Sequence, residues 1–332
     1  MVRASSRRPG LGTVLVGCLL LFAWSAAAGD LGTIRAGVLR FGTVSWELDV
    51  VKHHRLDAKE GFTLEVTAFA SNDAANVAFL GDAVDVIVED WLWVSRQRAE
   101  GVLVSFIPYS SNVGFVVARP DRGIRALPDL SGKTLGVAGG ALDKSWLILQ
   151  ALALRDHGLD LAKAAKIVYG APPLLSEKLK QGELDAALVY WHFGARLEAQ
   201  GYPKVVGVAE AQEALGVPAS TPQLGYIFKE SWAKAAPERI AAFARASRAA
   251  KAIMKTSDAE WERLRPLTRA EDDATLRMLR DRYREGIVER WGDAERQAAA
   301  KLYAILAELG GEALVGKSKT LVDGTFWPLV RY

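Results

Sequence analysis

Cysteine is almost absent from this chain: Cys18 is the single copy in 332 residues. It lies in an N-terminal leader-like stretch, so the remainder is read as having no disulfide framework, no thiolate metal site and no cysteine nucleophile. Histidine is nearly as scarce, and its four copies, His53, His54, His157 and His192, are too scattered to form a catalytic set. Gly-x-Ser-x-Gly, His-Glu-x-x-His and Walker signatures are all missing. After the leader no run of about 18 uncharged apolar residues occurs, so no later segment reads as membrane-spanning. Charge of one sign is lacking too. The 42 Lys+Arg exceed the 39 Asp+Glu only by Arg3, Arg7 and Arg8 of the leader. That balance points to neither nucleic acid nor an anionic membrane surface.

The leader itself is informative. Three arginines precede an apolar run from Leu11 to Trp24, and Ala26, Ala27 and Ala28 follow as small residues. That order reads as a secretory signal over residues 1–28, so the mature protein is expected outside the cytoplasm. Leu15-Val16-Gly17-Cys18 fits a lipoprotein box but sits inside the apolar run rather than at its end. Ser6-Arg7-Arg8 faintly resembles a twin-arginine signal.

From Leu31 to about Val208 short β-branched runs alternate with segments of helical spacing. Strands are expected at 33–39, 63–69, 83–89, 102–107, 134–137, 167–169, 186–190 and 204–208. Helices are expected at 72–80, 143–157 and 172–181, started by Ser71 or Asp73, by Asp143 and by Pro172-Pro173. The alternation predicts an α/β fold with mostly parallel sheets. Beyond Lys229 the chain turns Ala-, Arg-, Glu- and Leu-rich with amphipathic periodicity, which predicts a helical C-terminal region.

Two further strands, 112–118 and 223–228, are each flanked by turn-rich Pro segments. If they lie side by side they form a two-strand hinge between two lobes. One lobe is then discontinuous, residues 31–118 and 223–332, and the other is 119–222.

Four segments carry a resemblance. They are Gly37–Trp46, Gly81–Val86, the stretch Leu127-Pro128-Asp129-Leu130-Ser131-Gly132-Lys133-Thr134-Leu135-Gly136-Val137 and Gln181–Ala186. In order and spacing they resemble periplasmic substrate-binding proteins of ABC importers, of the nitrate, sulfonate and taurine type. The resemblance implies a two-lobed type II periplasmic-binding fold, with two mixed sheets flanked by helices. It also implies a non-enzymatic receptor, expected as a monomer without cofactor, that passes one small solute to an inner-membrane ABC permease.

In open α/β sheets a ligand sits beyond the carboxyl ends of the strands. The residues there are Arg40, Thr43, Ser45 and Trp46, then Ser71 and Asn72, then Glu89, Asp90 and Trp91. Asn112 joins them where the chain crosses, and the second lobe adds Gly140, Asp143, Lys144, Ser145, Tyr190 and Trp191. Aromatic side chains and the acids Glu47, Asp49, Glu89, Asp90 and Asp143 crowd this rim, against Arg40 and Lys144. Such a rim suits a cation or a nitrogen heterocycle, through cation–π contact and charge-assisted hydrogen bonds. Asp90 and Asp143 also read as plain helix caps. Two alternatives stay open: a binder of a metal ion or chelate held by Glu47, Asp49, Glu89 and Asp90, and an enzyme or binder of the thiamine-precursor type sharing this fold.

Overall fold

The protein is described here from a computed structural model covering residues 1–2 and 30–332. The leader features, including Cys18 and the small residues up to Ala28, lie outside the described residues.

Ten strands form two five-stranded sheets. The first holds β1 (Thr33–Leu39), β2 (Thr63–Phe69), β3 (Val86–Asp90) and β4 (Val104–Ser110). The second holds β5 (Gly114–Ala118), β6 (Thr134–Ala138), β7 (Lys166–Gly170), β8 (Ala186–Tyr190) and β9 (Lys204–Gly207). The fifth strand of the first sheet is β10 (Leu224–Lys229), which comes after the whole second sheet. The orders are β2-β1-β3-β10-β4 and β7-β6-β8-β5-β9. Within each sheet the recorded parallel pairings join the first three strands of the order, and the fourth strand is antiparallel to both its neighbours.

The antiparallel member of each sheet is the strand on which the chain enters that lobe. This corrects the side-by-side pairing read from the sequence. β5 pairs with β8 and β9, while β10 pairs with β3 and β4. All five residues of β5 are buried. A strand so enclosed must satisfy its backbone groups on both edges, which the interior of a sheet allows and a solvated two-strand hinge does not. The turn at 119–123 is therefore not the crossing, which falls at 111–113. Where the two crossings leave the first lobe, Gln223 N–H, just ahead of β10, donates to the carbonyl of Ser110, the last residue of β4, at 3.2 Å. Each entering strand also approaches a neighbour too closely for a side chain. A Cβ on Gly114 would stand 2.4 Å from the Val189 carbonyl oxygen, and one on Gly225 2.3 Å from that of Ile107.

The two lobes repeat one device. Asp85, just ahead of β3, accepts from the Arg35 N–H of β1 at 2.8 Å. Asp185, just ahead of β8, accepts from the Thr134 N–H of β6 at 2.9 Å. Each is the second acid of its segment, Gly81–Val86 or Gln181–Ala186, and ties the start of its strand to the parallel strand beside it. In Leu127–Leu130 the two leucines are buried while Asp129 accepts from the N–H groups of Arg125 and Ala126.

The C-terminal region is helical, as expected. Helices run over Glu230–Ala235, Pro237–Thr256, Asp258–Thr268, Asp273–Glu285 and Asp293–Val315. They span the lobes. Asp273–Glu285 packs on the second-lobe helix Trp191–Ala199, and Asp293–Val315 packs on Trp91–Ala99 of the first lobe and Lys144–His157 of the second. No described helix is long and apolar enough to cross a membrane.

Candidate ligand-binding cleft

The carboxyl ends of the parallel strands face each other across a cavity of about 410 Å³. The first lobe supplies Thr43, Asn72, Glu89 and Asp90, and the second supplies Asp143, Lys144, Ser145, Tyr190 and Trp191. All nine were read as site residues from sequence. Tyr109, Arg96 and His192 also line it. The signal for Tyr109 was the strand-end rule itself, because β4 runs on to Ser110 rather than stopping at Ile107. Arg96 lies inside a helix, where that rule is silent.

One ion pair closes the cleft floor. Lys144 Nζ, at the first turn of the helix Lys144–His157, reaches Asp90 Oδ2 of the opposite lobe at 3.0 Å. Asp90 also caps its own helix, accepting from Trp93 N–H at 2.8 Å. Burial opposes its ionisation, but Lys144 and that N–H outweigh burial and hold the carboxyl below its usual range. The Lys144 ammonium is raised for the matching reason: Asp90 and Asp143 overcome its burial.

The other two acids have no such partner. Burial and the neighbouring Asp90 charge push Glu89 up to about 7, and its side-chain hydrogen bond comes from Asn76 Nδ2 at 3.1 Å. Asp143 accepts from the N–H groups of Ser145 and Trp146 at 2.9 and 3.3 Å, and burial raises its pKa. The cleft therefore holds one neutralised carboxylate, two without a salt-bridge partner, and aromatic walls.

Several expected residues lie elsewhere. Ser71 is exposed and caps the helix Asn72–Leu80, accepting from Ala74 N–H. Asn112 donates to the Arg282 carbonyl at 2.8 Å and pins the lobe crossing. Trp91 is wholly buried, with Nε1 donating to the Pro222 carbonyl at 2.9 Å. Trp91 is the first residue of its helix, as Trp191 is of its own, but the Trp91 ring turns into the core, which the position rule does not distinguish. Gly140 stands outside the lining and Gly139 within it. Arg40, Ser45 and Trp46 face a different cavity, considered below.

Glu47 and Asp49 do not reach the ligand space. Asp49 pairs with Arg263 at 2.6 Å on the flank of the first lobe. Glu47 is fully buried, 2.6 Å from Lys251 Nζ, and accepts from Tyr226, Ser247 and Tyr283. His54 pairs with Glu260 at 3.0 Å. Among the described residues no group of three or more His, Cys, Asp or Glu could hold a metal ion.

Two lobes, each a mixed sheet with one antiparallel strand, closing on a cleft at their strand ends, define the type II periplasmic-binding fold. The chain belongs to the NMT1/THI5 like family, whose pattern it matches over residues 58–260. A search of curated proteins found no match. Among solved structures it resembles the alkanesulfonate-binding protein SsuA of Xanthomonas axonopodis pv. citri bound to MOPS, at 15% identity and TM-score 0.69, covering 91% of this chain and 100% of that one. It also resembles the periplasmic aliphatic sulphonate binding protein SsuA of Escherichia coli, at 16% identity and TM-score 0.70, with 90% and 93% covered. The periplasmic nitrate-binding protein NrtA of Synechocystis PCC 6803 aligns at 14% identity and TM-score 0.54, with 70% and 65% covered.

Proposed function

We propose that the protein is an exported solute receptor that captures a small organic cation or basic nitrogen heterocycle between its lobes and delivers it to an ABC permease. The observation that carries the choice of solute is Glu89: a buried carboxylate in an aromatic-walled cleft, hydrogen-bonded by Asn76 and without a salt-bridge partner. Asp143 lines the same cavity, bonded by backbone N–H groups and likewise without a salt-bridge partner. The sulfonate- and nitrate-binding relatives support the receptor role. Here, however, one of the two cations in the cleft, Lys144, is engaged with Asp90. The metal-chelate reading has lost support, since Glu47 and Asp49 are drawn away from Glu89 and Asp90.

The test is the pH dependence of binding. Glu89 is raised to about 7, so it is mostly protonated below that pH and carboxylate above it. Affinity for an organic cation should therefore rise as pH increases through about 7. Glu89→Gln should remove that rise and weaken binding by about 1.5–3 kcal/mol, the worth of a hydrogen bond to a charged group. Titration calorimetry on both proteins measures this, and a pH-independent affinity untouched by the substitution would refute the assignment. Export is checked separately by the intact mass of the exported protein. A chain starting at Gly29 is expected, and a lipidated Cys18 would contradict it.

A further inference from the structure

A second cavity, of about 480 Å³, lies beside the cleft. Both lobes wall it. The first contributes the turn from Arg40 to Trp46 and the segment around Pro266–Thr275, and the second contributes the helices Pro172–Gln181 and Trp191–Ala199. Gly42 and His192 line both cavities, so the imidazole is part of the partition between them.

The charge here is opposite to that of the cleft. Arg40, Lys180, Arg196 and Arg269 face Glu177 and Glu271. Lys180 is paired with Glu177 at 3.1 Å. Arg196 is spent on structure, donating to the Thr268 and Arg269 carbonyls at 2.5 and 3.1 Å and so joining the lobes. The guanidinium groups of Arg40 and Arg269 make no hydrogen bond or ion pair with any side chain among the described residues, and Arg269 lies 5.8 Å from the Phe41 ring centroid. The partition is also unsatisfied. Both ring nitrogens of His192 are buried without a partner. Burial, with the Arg196 charge, pushes the ring down to about 3, so it is a neutral imidazole offering one donor and one acceptor. Both nitrogens are therefore available to a hydrogen-bonding partner, water or ligand, at the wall of the cavity.

We propose that this second cavity binds a small organic oxyanion, a carboxylate or sulfonate carried on a planar apolar body. Arg40 and Arg269 hold the anionic head, His192 supplies a hydrogen bond from the partition, and Trp46 and Phe193 pack against the body. Guanidinium groups suit such a head because their planar forks match its oxygens. The assignment stands apart from the identity of the solute in the cleft. Because the cavity has walls from both lobes, an occupant favours the closed arrangement and couples to the cleft through His192.

The probes are benzoate and benzenesulfonate, titrated into the mature protein by calorimetry and followed by tryptophan fluorescence, since Trp46 lines the cavity. Saturable binding is expected, and it should weaken about tenfold in Arg40→Gln and in Arg269→Asn. Asparagine suits position 269, whose φ of 55° is left-handed. Both positions are exposed, so the melting temperature of the ligand-free variants should hold. Glu89→Gln, in the cleft, should leave benzoate binding unchanged. The proposal fails if neither probe saturates, or if their binding survives both arginine substitutions and is altered by Glu89→Gln, which would place the anion in the cleft.

Discussion

Replacing Lys251 with methionine should cost the protein about 3–5 kcal/mol of stability, the range for stranding one member of a buried ion pair. Lys251 Nζ lies 2.6 Å from Glu47 Oε2, with side-chain exposures of 7% and 0%, so solvent cannot take over its role. What remains around Glu47 is neutral. Tyr226 and Ser247 donate to Oε1 at 2.8 and 2.5 Å, and Tyr283 donates to Oε2 at 3.2 Å. Those hydroxyls come from β10 and the helices Pro237–Thr256 and Asp273–Glu285, so the cluster ties the first sheet to the C-terminal helices. Glu47→Gln combined with Lys251→Met should recover most of the loss, because the neutral pair leaves no buried charge. Urea unfolding of the three variants measures this. A single-variant loss under about 1 kcal/mol would show that the pair contributes little. The cluster also bears on the cleft. Tyr109 lies between the two, with its hydroxyl 3.4 Å from Thr43 Oγ1 and its ring 4.7 Å from Lys251 Nζ.

Lys144→Met should act on stability and binding in opposite directions. Without the ammonium, Asp90, Glu89 and Asp143 share the closed cleft with Arg96 as the remaining cation in its lining. The ligand-free protein should lose about 3 kcal/mol or more, because the group lost is the mostly buried partner of Asp90 across the lobes. An added organic cation should then bind more tightly than it does to the unaltered protein, since it no longer competes with Lys144 for Asp90. Melting temperature with and without cation reads both effects. A variant as stable as the parent, or one that binds cations less well, contradicts this picture of the floor.

Much of this architecture is legible in the sequence, for a physical reason. The parallel strands are short and β-branched, and their helices are punctuated by local caps. β1, β2 and β8 therefore fall on the expected residues, as do the helices Asn72–Leu80 and Pro172–Gln181. Strand pairing is not local, and β5 and β10 show the consequence. Their turns announce a crossing, but only the burial of both faces assigns each to the interior of its own sheet. The strand-end rule located Glu89, Asp90, Asp143 and Lys144 because it depends on topology alone. Trp91, read by the same rule, and Glu47, read as one of the rim acids, turn their side chains into the core to meet Pro222 and Lys251. Such partners lie 131 and 204 positions away in the chain, beyond the reach of any local pattern. Arg96 and the helical walls of the second cavity were missed for the same reason, since they are helix faces brought together by lobe packing.

The most direct measurement is titration calorimetry of the mature protein, above pH 7, against a matched panel of organic cations, nitrogen heterocycles and organic anions. At least one cation or basic heterocycle should saturate a single site, with the heat largely lost in Glu89→Gln and retained in Arg40→Gln and Arg269→Asn. The cation assignment would be contradicted if only anions saturate the protein and Glu89→Gln strengthens their binding, because the cleft would then be an anion site and its carboxylates would oppose its ligand.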